Sequence, residues 1–120
     1  MTRRLTLLAA APAAAVALAA GPALAHTEVK STSPSKGSTA ARSLRAVKVT
    51  FTQPIQRGTL RVTGPGKVVV SSGGGRDPRN VARLKAPLRS RLKAGRYKAR
   101  WTIRAVDGHT QRGSFRFRLT

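Results

Sequence analysis

Between Arg96 and Leu119 the residues alternate in character almost without a break, and one Asp107-Gly108 pair stands in the middle. Tyr97, Ala99, Trp101, Ile103 and Ala105 share one parity, while Lys98, Arg100, Thr102 and Arg104 share the other. Beyond the pair, Phe115, Phe117 and Leu119 alternate with Ser114, Arg116 and Arg118. A two-residue period sends successive side chains to opposite faces of a strand, whereas a helix needs a period near 3.6. The pattern therefore predicts two long, half-buried strands over 96–106 and 114–119, with Asp-Gly supplying the turn between them.

The remainder reads the same way. Arg45 to Thr52 places Val47, Val49 and Phe51 on one face, and Thr59 to Thr63 does so with Leu60 and Val62. Gly64-Pro65-Gly66 is a turn before Val68-Val69-Val70. Val81 to Ala86 alternates weakly, and Leu88 to Ala94 fits a strand or a helical turn equally. Ser71 to Pro78 is glycine-rich and is expected to be a mobile loop, with Asp77 in it and without a metal role. Short strands at regular spacing predict an all-β sandwich or barrel. At 120 residues the chain has room for a single core, and without cysteine that core must hold together without disulfides.

The first 25 residues stand apart from this pattern. Arg3 and Arg4 precede an apolar, alanine-rich run from Leu5 to Ala20, Gly21-Pro22 breaks it, and Ala23-Leu24-Ala25 is an A-x-A cleavage pattern. That is the layout of a secretory signal peptide, giving residues 1–25 as signal and 26–120 as the exported domain, periplasmic or secreted. No later stretch is long and apolar enough to span a bilayer as a helix.

Few groups in the exported part can do chemistry: His26, His109, Glu28, Asp77 and Asp107. With no cysteine, and with the only methionine at position 1, soft ligation of Cu(I) has no ligands. P-loop, H-E-x-x-H and G-x-S-x-G patterns are absent. Cleavage after Ala25 makes His26 the first residue, so that its α-amino group and ring Nδ1 can close a chelate around one metal. Asp107-Gly108-His109 offers a carboxylate and a second imidazole at i and i+2. Taken alone that tripeptide reads as a hairpin turn with a surface histidine. Taken with His26 it completes three nitrogens and one oxygen, a set that suits tetragonal Cu(II). Both imidazoles must be deprotonated to bind, so affinity should weaken in acid.

Several segments together resemble the CopC family of copper-resistance and copper-homeostasis proteins. They are His26 after Ala-Leu-Ala, Ser33-Pro34-Ser35-Lys36-Gly37, the Val49 to Ile55 run, Leu92 to Tyr97 with Trp101, Ala105 to His109, and Gly113 to Phe117. The resemblance implies a Greek-key β-sandwich of cupredoxin-like or immunoglobulin-like shape, with Cu(II) held by His26, Asp107 and His109. It also implies copper delivery or buffering without redox turnover, beside a membrane protein of the CopD type. Two departures stand out. Thr52-Gln53-Pro54 replaces the Ser-Glu-Pro common in the family, so Gln53 brings no charge. The methionine-rich stretch that binds Cu(I) in some members is missing, which points to the Cu(II)-only kind.

The net charge of +21 calls for its own account, because such a field opposes an incoming cation. Lys98, Arg100 and Arg104, with Arg116 and Arg118, form a basic surface suited to an anionic lipid or cell-surface polymer. The plainer reading is a solvated basic surface. A nucleic-acid partner is not expected, because the face lacks the aromatics that stack bases. Two alternatives to a copper carrier thus stay open. One is a polyanion- or membrane-surface-binding module with incidental histidines. The other is a copper-dependent oxidative enzyme, opposed by small size and few aromatics.

Overall fold

The computed structural model describes residues 27–120. The segment 1–25 read as a signal peptide, and His26, lie outside the described residues. The strands are β1 (Val29–Ser33), β2 (Thr39–Ala40), β3 (Ala46–Phe51), β4 (Ile55–Thr63), β5 (Gly75–Asp77), β6 (Asn80–Pro87), β7 (Gly95–Ala105) and β8 (Thr110–Leu119). One 3-10 turn, Pro65–Lys67, follows β4.

The strands form one sheet in the order β1-β3-β6-β5-β4-β7-β8-β2, antiparallel except where the short β2 runs beside β8. The stretch β3-β6-β5-β4 is the Greek-key order traced backwards along the chain. Short β5 lets the sheet curl, so β1-β3-β6 forms one leaf and β4-β7-β8 the other. Between them lies the core: Val47, Val49 and Phe51 from β3, Leu60 and Val62 from β4, Leu84 from β6, Tyr97, Ala99 and Ile103 from β7, and Phe115, Phe117 and Leu119 from β8, with the partly buried Trp101 packed against it. Fully burying an aromatic or aliphatic side chain of this kind contributes about 1.5–3 kcal/mol. The all-β sandwich-like architecture is the one the alternation predicts.

Three local features were not predicted. The glycine-rich stretch contains β5 rather than being all loop. A Cβ on Gly74 (φ +122°) would lie 2.0 Å from the Leu60 carbonyl oxygen, so only glycine allows this approach of backbones. Asp77 ends β5 and is buried. Its Oδ1 accepts the Arg79 N–H at 2.9 Å, and Arg83 lies 3.9 Å from its Oδ2, so it pins the β5–β6 turn. The ambiguous Leu88–Ala94 region contains neither a helix nor a named strand of its own, apart from a bridge between Leu88 and Ser71.

Tyr97 locks the entry to β7. Its hydroxyl donates to the Lys93 carbonyl four residues upstream (2.5 Å), and its ring stacks on Phe117 with centroids 5.5 Å apart. A tyrosine near a strand start bonding back to upstream backbone is the corner device of Greek-key sandwiches.

Candidate metal centre

The Asp107–His109 pair sits in the β7–β8 hairpin loop, beyond the last strand pair, Arg104 with Thr110. The loop closes by two backbone hydrogen bonds. The Ala105 N–H donates to the His109 carbonyl (2.8 Å) and the Gly108 N–H to the Ala105 carbonyl (2.9 Å). Gly108 takes φ +90°, which the turn requires and which side chains disfavour. Here the hairpin propensity of Asp-Gly and the ligand spacing serve one geometry.

Asp107 grips His109 at two points. Its Oδ1 accepts the His109 backbone N–H at 2.9 Å, and its Oδ2 lies 2.9 Å from ring Nδ1. With Nδ1–H donated to the carboxylate, Nε2 is the nitrogen left with a lone pair, the arrangement in which a second group orients a metal-binding imidazole. The two side chains are 44% and 71% exposed, so an ion can reach them from solvent. Among the described residues no third His, Cys, Asp or Glu joins them. His26 is the residue that precedes the described segment.

That segment begins at the same end of the sandwich. Thr27 is buried. The Glu28 N–H donates to Thr52 Oγ1 (3.0 Å), and the Thr52 N–H returns to the Glu28 carbonyl (2.8 Å). Val29 then pairs with Phe51. Thr52, Gln53 and Pro54 form the link from β3 to β4, whose first residue, Ile55, pairs with Ala105 at the foot of the Asp107 loop. The chain entry, the 52–54 link and the 105–109 loop are thus one continuous corner, and Gln53 belongs to it.

Two glutamines at this corner escaped the sequence reading. The β4 register shifts between Ile55 and Arg57, and Gln56 at that bulge donates from Nε2 to the Val106 carbonyl (3.1 Å), bracing the loop. Bulges commonly re-aim a side chain in this way. Gln111 Oε1 is buried without a hydrogen-bond partner, two residues past His109 and on the parity of Phe115 and Phe117. A polar residue at an apolar parity position was the signal that could have revealed it.

Against known proteins, the CopC domain model matches residues 29–120. Comparison with curated proteins finds no match. Among solved structures, CopC from Methylosinus trichosporium OB3b superposes with a TM-score of 0.68 at 21% identity, covering 78% of this chain and 93% of that one. PcoC, a methionine-rich copper resistance protein from Escherichia coli, gives 0.67 at 22% identity, covering 80% and 100%. At these identities the superpositions show the shared fold.

Proposed function

Because the chain belongs to the CopC family, we propose that it is an exported, non-catalytic Cu(II)-binding protein that carries or buffers copper in copper homeostasis. The ion is held by the α-amino group and ring of His26, by the ring of His109, and by Asp107, whose Oδ2 leaves Nδ1 to meet the ion. The observation that carries this reading is the preset Asp107–His109 pair at the corner into which Thr27 and Glu28 are knit. A first residue that must reach the loop needs its neighbours anchored nearby, because one residue spans at most about 3.6 Å.

The donor chemistry favours the divalent ion. Two imidazoles, an amine and a carboxylate suit tetragonal Cu(II), while the thiolates and thioethers that select Cu(I) are lacking once Met1 is removed with the signal. In this respect the chain differs from its methionine-rich structural neighbour. Asp107 stands where an oxidative centre would need an open coordination position, so capture and release, rather than turnover, is the chemistry supported.

Cu(II) competition titration with EPR tests this on two proteins, one beginning at His26 and one with a single alanine before it. The expected result is a nitrogen-rich tetragonal signal from the first and a greatly weakened complex in the second. Equal binding by both removes His26 from the site. His109→Ala should abolish tight binding, whereas Asp77→Asn, whose carboxylate is taken up by the Arg79 N–H and Arg83, should cost far less.

A further inference from the structure

The outward face of the β4-β7-β8 leaf sets like charges directly opposite one another. Across β4 and β7, Arg57 faces Arg104 and Arg61 faces Arg100. Across β7 and β8, Lys98 faces Arg116 and Arg96 faces Arg118. Directly opposed like charges destabilise a sheet, so this placement costs the fold stability that the same residues scattered over the surface would not. The positions between them carry hydroxyls, Thr59 opposite Thr102 and Ser114 opposite Arg100. No carboxylate, aromatic or large aliphatic side chain occupies an outward position of these three strands. A depression on this face is bounded by Arg61, Lys67, Arg96, Lys98, Arg100 and Arg116.

We propose that this leaf docks flat on an anionic phospholipid bilayer, whose headgroup phosphates are its missing counter-charges. Outward side chains recur about every 6.6–6.8 Å along a strand and the strands lie about 4.8 Å apart, so the cations form a two-dimensional array. A planar field of phosphates meets all three rows at once, whereas a single polymer backbone follows one. Most of the array is arginine, whose guanidinium pairs with phosphate in a bidentate fork. With no apolar side chain at an outward position of the three strands, only the small Val69 at the edge of the depression, and no aromatic to stack on bases, the attachment is peripheral and electrostatic. In this pose the Asp107–His109 loop lies beyond the end of β7, at the margin of the contact rather than beneath it. The docking face is independent of the metal reading.

Metal-free protein, co-sedimented with vesicles of phosphatidylglycerol mixed into phosphatidylcholine, tests the proposal. Each cation close to an anionic leaflet strengthens partitioning about fivefold. Arg100→Gln/Arg116→Gln/Arg118→Gln should therefore lower it on the order of a hundredfold. Lys30→Gln/Lys48→Gln/Lys85→Gln removes the same charge from the other leaf and should lower it only a fewfold. Binding should be absent on pure phosphatidylcholine and should be released by salt. Equal losses in the two triple variants would overturn the face assignment. Failure to bind phosphatidylglycerol vesicles, while binding soluble polyphosphate through the same arginines, would overturn the bilayer in favour of a polymer.

Discussion

Asp107 holds His109 by backbone and ring together, with Oδ1 and Oδ2 each 2.9 Å from a His109 nitrogen. The carboxylate thereby fixes both the turn and the imidazole tautomer before any ion arrives. Orientation of this kind lowers the cost of binding, because the ring need not be ordered by the metal.

Asp107→Ala should therefore weaken Cu(II) binding about 10–100-fold, the range typical for loss of a group that orients or supports a ligand. Asp107→Asn keeps the shape and one acceptor but removes the charge, and should fall between the variant and the parent. Competition titration measures both. Unchanged affinity in the alanine variant would reduce Asp107 to a turn residue.

Trp101 lies over Gly113, its partner across β7 and β8, and meets Phe51 edge-on with ring centroids 5.0 Å apart. A Cβ at Gly113 would fall 2.2 Å from Trp101 Cζ2. Gly113→Ala must displace the indole and should cost about 1–3 kcal/mol, as overpacking does. Urea unfolding gives the loss. Since Trp101 is the only tryptophan, its emission reports the displacement directly.

How legible the molecule was in its sequence depended on how local each cause is. The β7–β8 hairpin was readable because strict alternation and an Asp-Gly turn are properties of neighbouring residues, and its loop carried the two described metal candidates with it. β5 was unreadable, because Gly73, Gly74 and Gly75 have no side chains to alternate and the need for glycine comes from the Leu60 backbone. Gln56 was hidden by its bulge, which breaks the period that sequence reading relies on. Arg57 and Arg61 were not seen to join the basic face, because the β4–β7 register is set by tertiary pairing between distant segments.

Burial raises the Tyr97 phenol above its ordinary value of 10.0, against the opposing charge of Arg89. The unfolded chain therefore gives up this proton at lower pH than the folded one. Stability from this group is intact below pH 10 and should be lost as pH climbs through the raised folded value. Tyr97→Phe should lose about 1 kcal/mol at neutral pH with the hydrogen bond to Lys93. Its stability should then fall less steeply above pH 10. Tyrosinate absorbance in the parent follows this one residue, because the chain contains a single tyrosine. Parallel alkaline limbs for the two proteins would sink the assignment.

The opposed cations of the β4-β7-β8 leaf should be visible in stability as well as in binding. Lys98 and Arg116 face each other across β7 and β8, and replacing one by an acid converts a repulsive pair into an attractive one. Arg116→Glu should stabilise the fold by about 0.2–1 kcal/mol, which for a domain near 100 residues moves Tm up by about 1–8 °C. Adding salt to the parent should act in the same direction by screening all four pairs. The increment from Arg116→Glu should shrink as salt rises, because the repulsion it removes has already been weakened. Thermal unfolding of both proteins across a salt series tests this. A parent indifferent to salt would mean that these side chains splay far enough into water to carry no cost, and a face without that cost would have less reason to be read as built for an anionic partner.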